Sequence, residues 1–364
     1  MARQSQYTVL IICEGENTEP QFFNAIRDRI LQGHYSIGDI AITIHPEPKE
    51  PENKKSKEQE EERVEQKDYV RQRKSRSLLP GKPLPPEIPG VPPLKWVLAA
   101  QDQLRDGTYN EAWVVFDKDN HPAVEQAFIA AAQNINGKQV QIAYTSIAFE
   151  YYLLLHFERY YFSFSKSECR IGDVVLNCST NGADPRECAG ARCVGGYARQ
   201  KHYWTESKSG TSMFPLVEPL LETGFWNAAW IRHESQLRES TVPIHERNPF
   251  LTTDSIVKRL TGRTEHHYEF VQLGQEFIIE GRLSIVFDVD LLVKVTNIGS
   301  VGIVLPSHSI TVTMLSTGVQ HTLGERKVIF AGDQASLPFA VSAEELSQAV
   351  FTFTIDTVHL GLKL

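Results

Sequence analysis

Residues 7–23 read YTVLIICEGENTEPQFF. The first seven, 7–13, form a continuous apolar run rich in β-branched side chains, the composition of a strand covered on both faces. The acidic turn Glu14-Gly15-Glu16-Asn17 follows. Thr18 is placed to cap a helix, and Gln21 three residues on completes a capping box. Pro20 suits a first helical turn, where its missing N–H has no intrahelical partner. Phe22, Phe23, Ile26 and Ile30 then share one helical face. Strand, turn and helix in this order open a parallel α/β sheet.

The same grammar continues outward. Ile40, Ile42 and Ile44 alternate, so 39–45 reads as the second strand. A helix is expected over 94–105 and a third strand over 112–117, within AWVVFDKDN (112–120), which ends in Asp117 and Asp119. Asn120 is placed to cap the next helix, with Pro122 in its first turn and Val124, Phe128 and Ala131 facing inward. Residues 139–145 form a fourth strand. Ser146 is placed to cap a helix through AFEYYLLLHFER, with Glu150 near its first turn. This pattern predicts four parallel strands with helices on both faces. A largely helical stretch over 214–238 carries Phe225, Trp226, Ala229 and Trp230, a stripe that reads as core. NPFLTTDSIVKRL (248–260) reads as a capped terminal helix, closing a domain over 1–265.

Two inserts interrupt that domain. Over 46–93 there is little to bury: a charged run is followed by a proline-rich run, read as a solvated segment and a polyproline-type tether. Its basic end, Lys67, Arg71, Arg73, Lys74 and Arg76, reads as a solvated run or as an arm that contacts nucleic acid. The irregular stretch 160–212 holds Cys169, Cys178, Cys188 and Cys193. Four thiols can close a Zn²⁺ site, with His202 as an alternative ligand. The spacing lacks a tight Cys-x-x-Cys pair, so unligated thiols are the other reading. Beyond 270 the chain alternates with strand-like spacing, the signature of a β-sandwich over 270–364, immunoglobulin-like in architecture. Residues 271–364 carry five Lys/Arg and nine Asp/Glu, a net −4 that argues against binding nucleic acid by charge.

At 364 residues, 41% apolar and 23% charged, the chain can bury cores for two domains. A net charge of −8 and a pI of about 5.9 exclude a surface coated in positive charge, though not a local basic groove. No apolar run reaches the ~18–20 residues of a membrane span and no signal peptide precedes the first strand, so the expectation is a cytoplasmic protein without a membrane partner. The P-loop motif is missing, so an ATPase working with this chain is a separate subunit. A nucleophile elbow and a setting for a nucleophilic cysteine are missing as well.

The candidate chemistry lies at strand ends. Glu14 follows the first strand, and Asp117 and Asp119 end the third, two residues apart and therefore on one side. Glu19 at the start of the first helix and Glu150 after the fourth strand add carboxylates. Such oxygens suit Mg²⁺ (or Mn²⁺), which neutralises their mutual repulsion and supports phosphodiester chemistry. Lys118 is expected to point away from the aspartates. His121 and His156 read as structural, His156 as a ring satisfying a backbone carbonyl. Arg159, Arg199 and Lys201 are candidate phosphate contacts.

ICEGENTEPQFF followed by VVFDKDN resembles the TOPRIM domain of topoisomerases, primases and overcoming-lysogenization-defect nucleases. In more detail the chain resembles the RloB-like family, through CEGENTEPQFF, YNEAWVVFDKDNH, IAYTSIAFEYYLLLHFE and ERNPFLTTDSIVKRL in that order over about 7–262. The third segment departs from the family's Asn-Pro and Trp positions but keeps Glu150. The resemblance implies a TOPRIM-like fold and a Mg²⁺-dependent nuclease of bacterial antiphage or abortive-infection defence. It carries Glu14, Asp117 and Asp119 over as catalytic metal ligands, with Glu19 and Glu150 beside them. It does not cover 46–93 or the β-sandwich. The competing expectation is a sensor or adaptor that binds a nucleotide or nucleic acid without cutting, with the sandwich recruiting a protein partner. A topoisomerase or primase is disfavoured: there is no room for a strand-passage gate and no sign of a tyrosine nucleophile.

Overall fold

The computed structural model describes residues 6–47, 84–118 except 86, 121–171, 174–175, 193–204 and 213–264, and from 266 to 363 the strands named below with a few connecting residues. The charged run, its basic end, Asp119, Asn120, Cys178 and Cys188 lie outside the described residues. The chain divides into two compact units, Met1–Gly262 and Arg263–Leu364.

The first unit begins with β1 (Tyr7–Cys13), α1 (Thr18–Leu31) and β2 (Ile40–His45). It continues with α2 (Leu94–Arg105), β3 (Glu111–Asp117), α3 (Val124–Ala131), β4 (Val140–Thr145) and α4 (Phe149–Leu154). It ends with α5 (Val194–Gln200), a helical turn Phe214–Val217, α6 (Leu221–Arg238) and α7 (Thr253–Thr261). The sheet order is β2-β1-β3-β4 and every pair is parallel. Val9, Leu10, Ile11 and Ile12 are fully buried, as a strand with helices on both sides requires. Leu10, Ile12, Val114 and Phe116 pack with Val97, Ala100 and Ala127 of α2 and α3 on one face. On the other side α1 and α4 meet through Phe22 and Phe149, whose rings stand edge to face at 5.2 Å.

Several local readings change. α1 begins at Thr18, and Gln21 donates its backbone N–H to the Asn17 carbonyl at 3.0 Å, so no side-chain capping box is used. Pro122 lies in the turn ahead of α3, which starts at Val124. α4 starts only at Phe149, because Ser146 Oγ accepts the Phe250 N–H at 2.8 Å and is committed to a tertiary contact. The end of the proline-rich run is not a tether: Ile88 is buried and Leu84 packs beside it in the α2/α3 core.

The NPFLT stretch, 248–252, is not helical. Ser146 donates to Phe250 O at 2.8 Å and Thr252 to Tyr144 O at 2.7 Å, while Thr252 Oγ1 accepts from Tyr144 N at 3.0 Å. The segment thus covers the outer edge of β4 and removes an open row of peptide groups. α7 follows it and ends on Gly262, whose φ of 72° is the left-handed C-terminal position glycine favours.

His156 is structural. Its ring is buried, Nδ1 donates to Tyr152 O at 3.1 Å, and a Cβ on Gly224 of α6 would collide with the ring. Burial pulls its pKa down to about 4, against the opposing pull of two carbonyls and Asp254. A base whose folded pKa lies below its unfolded value of ~6.5 contributes stability above that value, lost as pH falls toward the folded pKa. Wild type is therefore expected to lose about 2 kcal/mol from this one group between pH 7.5 and 5. Urea midpoints at the two pH values should show a smaller difference in His156→Asn; an unchanged difference would remove His156 as the cause.

In the second unit, Glu276–Ile279, Leu283–Phe287, Leu292–Asn297 and Gln334–Pro338 form an antiparallel sheet. Gln320–Leu323, Ile310–Met314, Ala349–Phe353, Val358–Lys363 and His267–Gln272 form a second sheet, antiparallel except for its last pair. Ile303–Leu305 pairs with Lys327–Ile329. Among the described residues no helix is long and apolar enough to cross a membrane.

Candidate metal centre

In the order β2-β1-β3-β4 the connections run outward in opposite directions from β1 and β3. The gap between those two strands is the switch point, where a parallel sheet opens a crevice at its carboxyl edge. Glu14 leaves β1 there and Asp117 ends β3 there. The register Cys13↔Val115 brings them together. Glu14 donates its backbone N–H to Val115 O at 2.9 Å, and Glu14 Oε2 accepts the Asp117 backbone N–H at 2.8 Å. A carboxylate from one strand thus satisfies the last amide of the next.

Three further groups close in. Glu19, in the first turn of α1, lays its carboxylate against Gly15; a Cβ on that glycine would overlap it, so Gly15 makes the space. Glu150 enters from the first turn of α4, 5% exposed, and its Oε2 accepts from Ser167 Oγ at 3.0 Å. His121, in the turn after β3, directs Nε2 at Glu14 Oε1. Its ring and that of Trp96 of α2 stand edge to face, centroids 5.8 Å apart.

The electrostatic result is concentrated on Asp117. Burial, followed by the negative charges of Glu19, Glu14 and Glu150, pushes its carboxyl well above the usual carboxylate range, against one lowering hydrogen bond from the Phe149 backbone. Burial and the Glu19 charge likewise raise the Cys13 thiol, and burial and Asp117 raise Tyr144. Three carboxylates from three other segments thus disfavour the ionised form of Asp117, and a cation among them would reverse that. In kind, these oxygen donors fit a hard divalent ion. As placed, among the described residues, no three His, Cys, Asp or Glu side chains converge tightly enough to hold one ion.

Glu14, Asp117, Glu19 and Glu150 therefore gather at one edge, while Asp119 lies outside the described residues. Lys118 donates Nζ to Glu246 O at 2.8 Å. Arg159 lies over the Trp230 ring at 5.0 Å, Lys201 over Tyr197 at 5.6 Å, and Arg199 reaches Glu168 at 3.4 Å. Cys169 and Cys193 are buried and form no disulfide. Cys193 Sγ caps α5 by accepting from Gly196 N at 3.3 Å, a role that needs no metal. His121, read from the sequence as structural, is brought to the same edge by its contact with Glu14, which its place in Asp-Lys-Asp-Asn-His does not announce.

A family model described as RloB-like protein matches residues 9–260, and thus spans the four-stranded sheet and all of these carboxylates. No curated protein and no solved structure matches the chain.

Proposed function

We propose, from the premise that this chain belongs to the RloB-like family, that it is a divalent-metal-dependent nuclease acting on DNA or RNA. The observation that carries the reading is the crowding of Asp117 by Glu14, Glu19 and Glu150 at the switch point of the sheet. A buried Asp117 whose ionised form its neighbours disfavour gives a fold no stability, whereas a cation bound there would favour that ionised form. The finer fold reading that accompanies it is TOPRIM-like for the sheet, with Asp119 completing the acidic set, and immunoglobulin-like for the C-terminal unit. The biological setting proposed is bacterial antiphage defence, with the C-terminal unit as the surface for a protein partner.

Glu14 and Asp117 would hold the cation, with Glu19 and Glu150 flanking them. When bound, Mg²⁺ or Mn²⁺ supplies Lewis-acid stabilisation of a phosphodiester and readies a water for attack. The chain's own part is placement. The Asp117 N–H fixes Glu14 Oε2, Gly15 lets Glu19 approach, and Ser167 orients Glu150.

The direct test is cleavage of single- and double-stranded DNA and RNA with Mg²⁺ or Mn²⁺, comparing wild type with Glu14→Gln. The variant should lose on the order of 10²–10³-fold or more of the activity. Equal cutting by both would remove Glu14 from the chemistry. Metal-independent binding of nucleic acid without cutting would favour the sensor reading.

A further inference from the structure

Resting on the reading of this chain as a nuclease, we propose that its substrate is a single strand, held by a ladder of the aromatic rings Phe162, Tyr160 and Tyr197 beside Lys201.

The ladder is packed unlike the core. Between α1 and α4 the rings meet edge to face, and the same holds where Phe22 meets Phe214 at 90°. That arrangement fills space in three dimensions. Phe162 instead lies parallel to Tyr160, at 14° with centroids 5.6 Å apart, and Tyr160 lies parallel to Tyr197, at 11° and 4.7 Å. Phe164, 1% exposed, meets all three rings at steep angles of 52°, 66° and 63° and so roots the ladder in the interior. The three rings themselves are partly exposed. A second parallel pair, Phe157 and Tyr203, stands at 12° and 4.9 Å, and Tyr203 Oη donates to Glu158 at 2.8 Å. Parallel flat rings at a surface are the form onto which bases stack, whatever their sequence. Bases in a duplex already have both faces covered by neighbouring pairs, so the ladder suits a single strand.

Charge and continuity favour the same occupant. Lys201 is exposed and its Nζ stands 5.6 Å from the Tyr197 ring centroid, where it can meet a phosphate. Residues 157–204 carry seven Lys/Arg and five Asp/Glu, a net +2 in a chain of net −8, so a polyanion is drawn to this stretch rather than to the chain at large. The ladder is also tied to the acidic edge at two points. Tyr151 of α4, next to Glu150, donates Oη to Tyr160 O at 2.6 Å, and Ser167 Oγ donates to Glu150 Oε2 at 3.0 Å. The chain from Tyr160 to Ser167 spans at most about 25 Å. A strand of a few nucleotides lying on the rings therefore reaches the carboxylates.

The full-length protein in EDTA, where metal-dependent cutting is suppressed, is titrated with a fluorescently labelled single strand and with its duplex. A second single strand carries 2-aminopurine, whose emission falls when it stacks on a ring. Wild type should bind the single strand at least about tenfold tighter than the duplex and quench the 2-aminopurine. Phe162→Leu should weaken single-strand binding about tenfold and relieve the quenching, and Phe162→Tyr should restore both. Lys201→Ala, at an exposed position, should weaken binding and flatten its salt dependence by about 0.7 in log–log slope. Equal affinity for duplex, or quenching and affinity unchanged in Phe162→Leu, would overturn the ladder. If Phe162→Leu fails to fold by circular dichroism, unquenched 2-aminopurine on wild type or an unchanged salt slope in Lys201→Ala would overturn it instead. Metal-dependent cleavage lost in Glu14→Gln would leave the nuclease reading standing in each of those cases. Strand binding through the rings without any cleavage would support the ladder and remove the nuclease reading.

Discussion

Asp254→Asn lowers the stability of the Met1–Gly262 unit by about 3–5 kcal/mol. Asp254 is completely buried and accepts from two cations. Arg232 of α6 grips both of its oxygens, the Nη2–Oδ2 bond measuring 3.0 Å, and Lys258 one turn along α7 reaches Oδ2 at 3.2 Å. Burial alone would raise the Asp254 carboxyl; Arg232 and Lys258 outweigh it and hold it below the usual range. Neutralising the acid leaves two cations facing each other with little water. The Arg232 side chain is 28% exposed, which places the effect at the lower end of the range. Arg232 also donates to Leu251 O at 3.2 Å, so the loss spreads into the segment that covers the edge of β4. Urea denaturation checks this directly. Arg232→Met, Asp254→Leu and Lys258→Met combined should recover most of the loss, since an apolar replacement of a whole buried ion cluster is close to neutral. A single variant as stable as wild type would mean that the triad is solvated in solution.

The second large effect has the opposite sign in stability and function. Asp117→Asn should reduce metal-dependent cleavage on the order of 10³-fold or more. In EDTA the same change should stabilise the protein by roughly 0.5–2 kcal/mol, because it removes the group on which the charges of Glu19, Glu14 and Glu150 converge. Added Mg²⁺ should stabilise wild type, by about 2.7 kcal/mol at a hundred times its dissociation constant. The variant should gain much less. Thermal unfolding with and without Mg²⁺ reads both halves. A variant less stable than wild type in EDTA would make Asp117 a structural residue.

The sheet was legible because β1 and β3 are continuous apolar runs and β2 alternates, and α2 because its apolar face and its ends agree. The Glu14–Asp117 pairing followed from strand ends. The misreadings share a physical cause: a local signal was overridden by a distant partner. Ser146 has the chemistry of a helix cap, but Phe250 claims its hydroxyl. NPFLTT reads as a helix start, but β4 needs its edge covered. Ile88, isolated among prolines, shows no periodicity, yet it finds an apolar pocket. His121 carries no sequence pattern that announces its approach to Glu14, a partner 107 residues earlier in the chain.

Glu14 meets Asp117 across 103 residues of chain and His121 across 107. Contacts of that range form after local ones, because chain closure must precede their reward. A polypeptide still emerging from synthesis has β1, α1 and β2 long before it has β3, and α4 with Glu150 comes later still. The order of synthesis itself keeps these carboxylates from meeting until the chain is past the middle of its first unit.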